Sequence, residues 1–396
     1  MRIERYRSGL NFRRRRRSGC LSTVMLMGIL VGVAALAWNW VAGWLNSSTR
    51  VTNNSLAAAQ AAFDAGDLES AIDLARQVFS ESPTDFEALT LLARALVYRS
   101  YSDYDRAVDR EVALELTTEA LDDFPNNADV LAIHAFVLQA NDQPNAAAQT
   151  ADRVLETQPD HTLARLSLAL AYGGVGGYDV ALREMQNAAT LPGYAVDVQR
   201  GLAIAYSDLG RYPEAITAIQ RAITFNNHLL PLYFERALYS MQIGDADSAT
   251  VAYFQVLAYD PNNVKARLRL CELSSMLRER ETAVTYCTEV TQRAPNWAEG
   301  WYRLGREYFL QGNFAAAQNN LHRCSTLQTM QNVPIRERRF ECWYLQGQAA
   351  EILGDCDGLI ATYNEFLTMA TDSGLQQTWS YPPEGPPMCA QQTSTP

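Results

Sequence analysis

Apolar residues fall into two patterns along this chain. From Leu21 to Leu45 a 25-residue run carries no charge. At about 1.5 Å per residue, a helix of that length crosses a hydrocarbon core of roughly 30 Å. Beyond residue 50 the apolar positions recur at the spacing of helices with one buried face, and small or turn-forming residues return at a fixed interval. Steps of 34 carry Gly312 onto Arg278, Gly244, Gly210, Gly176 and Asp142, and Ala317 onto Ala283, Ala249, Ala215, Ala181 and Ala147. Pro295, Pro261 and Pro159 close their units where a helix has to stop, with Asn227 and Gly193 at the equivalent places. The pattern predicts helical hairpins with small residues where the two helices cross, each leaving an apolar face for the next hairpin to cover.

The most specific stretch is Trp301, Leu304, Gly305 and Tyr308, which reads W-x2-L-G-x2-Y and is followed by Gly312, Phe314, Ala317 and Leu321. It resembles the tetratricopeptide repeat family. The same phase takes in residues 51–84, with Gly66, Ala71 and Pro83 in register, and a second unit from Phe86 that is interrupted by about eight residues near 100–109 before Ala113 and Pro125. A ninth unit, with Trp343, Gly347, Gly354 and Tyr363, follows an insertion near 326–338. The expected fold is therefore all-α: a solenoid of about nine hairpins over residues 51–373, which the resemblance makes a right-handed superhelix, preceded by one transmembrane helix. Residues 1–20 form a basic head, and the tail 374–396, with Pro382, Pro383, Pro386 and Pro387, is expected to be disordered.

Charge orients the anchor. Residues 1–50 hold nine Arg against one Glu, or +8, so the net −11 of the chain leaves −19 for the remainder. Arg13 to Arg17 directly precede the apolar run, and such an excess stays on the cytoplasmic side, which places the repeats outside the cytoplasm. Trp38, Trp40 and Trp44 lie at the far end, where indole rings favour the membrane interface. A cleaved signal peptide ending at Ala35-Leu36-Ala37 is the competing reading and gives a secreted form. The acidic balance of the repeats excludes a phosphate-binding stripe, so nucleic acid is not an expected partner.

Little in the sequence points to catalysis. His134, His161, His228 and His322 stand singly, without metal-ligand spacing. Gly173, Gly174, Gly176 and Gly177 fall in an inter-helix turn and lack the strand and Lys-Ser/Thr of a phosphate loop. No enzyme activity, metal or cofactor is expected. The resemblance implies instead that first helices line a concave groove that binds partner peptides. Arg200, Phe234, Lys265, Arg269, Tyr302, Arg303, Arg306 and Tyr344 are expected to face it, a basic and aromatic strip suited to acidic or carboxyl-terminal segments. Lys265, the only lysine, with Arg269 one turn later resembles a clamp for a terminal carboxylate, although Ile204 and Glu235 stand where the family has Asn. The function implied is a membrane-tethered scaffold or, as alternatives, the secreted form or an accessory subunit of an envelope enzyme complex.

Six of seven cysteines lie between Cys271 and Cys389, none in a CxxC pair. Six cysteines permit fifteen pairings. The hairpin register favours Cys324 with Cys342 across the second insertion, Cys356 with Cys389 fastening the tail, and Cys271 with Cys287 across one hairpin.

Overall fold

The computed structural model describes residues 55–373, 379–382 and 385–390. The chain divides into two compact units, Met1–Ala58 and Ala59–Pro396. The basic head and the span Leu21–Leu45 lie outside the described residues. Among the described residues no helix is long and apolar enough to cross a membrane.

The described residues of the second unit are all-α. A helix over residues 55–64 (α1) precedes α2 (Leu68–Glu81), and eight further hairpins follow. They are α3 (Phe86–Ser100) with α4 (Val108–Asp123), α5 (Ala128–Ala140) with α6 (Pro144–Leu155), and α7 (Thr162–Gly174) with α8 (Tyr178–Ala188). Next come α9 (Ala195–Asp208) with α10 (Tyr212–Phe225), α11 (Leu230–Gln242) with α12 (Ala246–Tyr259), and α13 (Val264–Met276) with α14 (Arg280–Arg293). The last two pairs are α15 (Ala298–Leu310) with α16 (Phe314–Met330) and α17 (Glu341–Leu353) with α18 (Cys356–Ser373). Each hairpin packs on the next, first helix to preceding second helix, which makes a solenoid.

Three repeated features explain why the sequence folds this way. Ala71, Ala113, Ala147, Ala181, Ala215, Ala249, Ala283 and Ala317, one in each of the first eight second helices, are all buried. A larger side chain there would push the crossing apart, and Gly305 shows how close it is, since a Cβ at that position would lie 2.7 Å from Leu321 Cγ. At the hairpin turns, Gly66, Gly176, Gly210, Gly244, Gly312 and Gly354 adopt positive φ, and Asp142 (57°) and Arg278 (64°) adopt it without being glycine. The third feature was hidden in the repeat spacing. Arg165, Tyr233, Arg267 and Trp301 occupy one register position, and each donates to the backbone carbonyl six residues earlier, of Pro159, Asn227, Pro261 and Pro295. The Trp of the motif is thus a donor that ties down the linker after the preceding helix, a duty that Arg or Tyr also performs.

The two insertions and the tail part from the simple repeat. Near 326–338 the extra residues lengthen α16 to Met330 and form a 3-10 turn, Ile335–Glu337. Near 100–109 they form a loop between α3 and α4. The tail, expected to be disordered, is partly packed: Trp379 is 7% exposed and sits over Gly347, against Tyr344, Tyr363 and Phe366. Pro-rich composition argued for coil, but one indole with an aromatic slot to fill buries enough apolar surface to hold an irregular segment.

Candidate functional site

First helices face the inside of the solenoid, and their side chains build the groove. Its amino-terminal half is self-sealed. Arg94 of α3 reaches across to Asp197 of α9 at 2.5 Å, a buried ion pair 103 residues apart in sequence. The Arg94 guanidinium also lies over the rings of Phe63 and Tyr194, at 4.8 and 5.0 Å. Asn226 donates to the Phe63 carbonyl at 2.9 Å, and a Cβ on Gly66 would collide with His228. The first two hairpins therefore close against the fifth.

Of the eight residues expected to line the groove, Arg200 is consumed by this closure. It pairs with Glu235 at 2.6 Å and lies 5.5 and 5.3 Å from the rings of Tyr98 and Tyr101. Burial opposes its charge, but Glu235 together with Tyr98 and Tyr101 outweighs that and holds the guanidinium above its ordinary value. Lys265 is also engaged. Its ammonium donates to the Tyr101 carbonyl at 2.7 Å and stands 4.5 Å over the Phe234 ring. Burial, with the Arg269 charge beside it, pulls its pKa down to about 8. Tyr344 lies elsewhere, against Trp379 and donated to by Gln348 at 2.8 Å.

Arg269, Tyr302, Arg303 and Arg306 come together. They line a cleft of about 560 Å³ between α13 and α15, with Glu272, Ser275, Met276, Arg280 and Glu307. Phe234, Lys265 and Leu238 line an adjoining cleft of about 420 Å³ that shares Arg269, Glu272 and Met276 with the first. The arginines do not stand alone: Arg269 and Arg303 both pair with Glu272, at 2.6 and 2.8 Å, Arg303 also with Glu299, and Arg306 with Glu307 at 3.2 Å. Glu307 is buried and accepts from Ser275 and Arg280 as well. Four arginines against two glutamates nevertheless leave the larger cleft cationic within an acidic domain. Tyr302 is its buried floor, with the guanidinium groups of Arg303 and Arg339 5.3 and 4.5 Å from the ring.

Sequence reasoning missed the apolar half of this surface. Leu238, Met276 and Leu310 are 52%, 68% and 45% exposed at the carboxyl ends of α11, α13 and α15, lining the two clefts. Met276 and Leu310 stand one period apart, so the signal was legible as apolar residues recurring on the groove side rather than on the packing side. It also missed Asp103, Tyr104 and Trp297, whose meeting no local pattern announces.

Among the described residues the six cysteines are joined in three pairs. Cys271–Cys287, Cys324–Cys342 and Cys356–Cys389 have Cα separations of 5.3, 6.0 and 5.5 Å. The histidines serve locally: His161 caps α7, His134 meets the Thr117 hydroxyl at 3.0 Å, and His322 meets Gln346 at 3.3 Å. Among the described residues no group of three His, Cys, Asp or Glu side chains is placed to hold a metal ion.

Residues 166–228, from within α7 to the turn after α10, match the family model described as Tetratricopeptide repeat. No curated protein matches the chain. Among solved structures it is similar to a chain of the APC/C hetero-tetramer Cut9-Hcn1, with 18% identity and a TM-score of 0.51, covering 77% of this chain and 57% of that one. The present chain therefore spans less than two thirds of that relative's length. It is also similar to a tetratricopeptide repeat protein from Parabacteroides merdae (18% identity, 65% and 99% covered, TM-score 0.40). A third is the C-terminal part of a repeat-containing protein from Cytophaga hutchinsonii (14% identity, 62% and 100% covered, TM-score 0.49). At such identities the likeness is one of fold, and the first of the three carries it.

Proposed function

We propose that this chain is a non-catalytic scaffold, anchored by Leu21–Leu45 with its repeats outside the cytoplasm, that holds partner proteins in the groove formed by α11, α13 and α15. The observation that carries the reading is the pair of adjoining clefts in which Arg269, Arg303 and Arg306 stand beside exposed Leu238, Met276 and Leu310. Cationic and apolar groups side by side suit an extended segment that carries carboxylates and apolar side chains in alternation. The side chains of Arg269 and Arg306 are 45% and 38% exposed. Both therefore remain available to such a segment. The reading of location is supported by the Arg13–Arg17 run before the apolar stretch and by joined cysteine pairs, which suit an oxidising compartment.

The test is a double charge reversal, Arg269→Glu with Arg306→Glu, in the full chain in its native membrane. Partners cross-linked to the wild type should be lost by at least ten-fold with helicity kept, because Glu272 retains Arg303 and Glu307 retains Arg280 as partners. Capture at the wild-type level would refute the groove. In the same preparation, protease added to intact spheroplasts should digest the repeats; digestion only after lysis would overturn the topology.

A further inference from the structure

The loop that interrupts the second hairpin does not hang free of the solenoid. Residues 101–104 lie along the amino-terminal end of α13, which follows 161 to 164 residues later in sequence, and reach Trp297 before α15. Four kinds of contact hold them. Lys265 Nζ donates to the Tyr101 carbonyl at 2.7 Å, and Asn263 Nδ2 to the Ser102 carbonyl at 3.0 Å. The Asp103 carboxylate accepts from the backbone amides of Lys265 and Val264, at 2.9 and 3.3 Å, where the first turn of α13 has no partners of its own. Tyr104 stacks on Trp297, with ring centroids 4.5 Å apart.

This is how a groove holds a peptide. Side-chain donors take main-chain carbonyls, a helix terminus takes a carboxylate, and rings serve as anchors. The donors include Lys265, a residue that sequence reasoning assigned to partner binding. The loop differs from the buried Arg94–Asp197 seam in being half-exposed, and the two helices it joins in sequence, α3 and α4, pack on each other directly. The packing of α3 on α4 therefore does not depend on the loop's contacts with α13.

We propose that residues 101–104 are a tethered occupant of the groove, and that the partner of this surface is an extended peptide with a carboxylate flanked by aromatic residues, which displaces them. The proposal rests on the groove reading above and names its partner class. A rivet that only fixes the curvature of the solenoid would show the same contacts, but it would not exchange with a free copy of itself.

That difference can be measured on the full chain in detergent micelles. The probe is a fluorescein-labelled peptide with the sequence of residues 99–106, and the receptor variant is Asp103→Ala with Tyr104→Ala, which removes the loop's side-chain contacts and leaves it only its two carbonyl contacts. The probe should bind this variant at least ten-fold more tightly than wild type. Adding Lys265→Gln to the variant should weaken binding by ten-fold or more, as should Asp to Ala at the position of Asp103 in the probe. Should the double variant lose helicity, Tyr104→Ala alone, which removes only the Trp297 stack, takes its place. Equal binding to wild type and to a folded variant, or binding to neither, would overturn the proposal. Failure here with loss of capture in the Arg269/Arg306 pair would leave the scaffold reading standing, whereas the opposite result would move the binding surface onto Lys265.

Discussion

Lys265 is the only lysine, and it is placed where burial and the charge of Arg269 both oppose its protonation. Its pKa in the fold, about 8, lies below the value of a free side chain, near 10.4. Between those two values the unfolded chain binds more protons than the folded one, so stability rises with pH through this window. Below pH 8 the cost of charging the buried amine is fully present, on the order of 3 kcal/mol from the size of the shift. Lys265→Met should remove it: the urea midpoint of wild type minus that of the variant should climb between pH 8 and about 10.5 and be level below. Parallel curves across that range would mean that the ammonium is solvated. The sequence singled out Lys265 as a ligand for a carboxylate, and its place on a first helix was legible from the repeat register. Its actual acceptor, the Tyr101 carbonyl, was not, because a contact spanning 164 residues leaves no trace in local spacing.

At the scale of the hairpin the sequence was most informative, because each unit repeats the same packing problem. Crossing alanines, turn residues and helix stops were readable directly. The turns also show where the pattern bends. Arg278 holds φ at 64° with an exposed side chain, so it bears the left-handed strain without burying anything in return. Relief of that strain is worth 1 to 2 kcal/mol, against up to about 1 kcal/mol of extra unfolded-state entropy for glycine. Arg278→Gly should therefore stabilise by about 0.5 to 1 kcal/mol. Asp142→Gly, at φ 57°, should gain less, since aspartate tolerates this conformation through its own short polar side chain. Chemical denaturation of the two variants gives the order directly, and a gain at Asp142 as large as that at Arg278 would contradict it. The insertions were legible as breaks in phase but not as structures. One became an extra length of α16 and the other an occupant of the groove, and only the surfaces each meets decide between those fates.

Repeat arrays are usually read as chains of nearest neighbours, in which damage to one unit weakens those beside it and fades with distance. This molecule departs from that rule because its groove is crossed by contacts between hairpins far apart in sequence. Arg94 and Asp197 form the most buried of these, with side chains 10% and 2% exposed, and the Asp197 Oδ1 and Arg94 Nε atoms have no further partner. A pair so enclosed adds little when intact, since desolvation offsets most of the attraction, but removing one member strands the other. Arg94→Ala should thus cost about 3 to 5 kcal/mol, much of it from the unpaired Asp197 carboxylate. The spatial pattern of that loss is more informative than its size. Hydrogen exchange should speed up in α3 and α9 together, while α6 and α8, which lie between them in sequence and carry none of these crossing contacts, keep more of their protection. A nearest-neighbour array would instead show the effect in α2 to α5 and leave α9 unchanged. Arg94→Met with Asp197→Leu should recover most of the stability, because two apolar side chains of similar volume leave nothing stranded. If exchange in α9 is unaffected by Arg94→Ala, the closure of the first hairpins against the fifth contributes nothing to the fold.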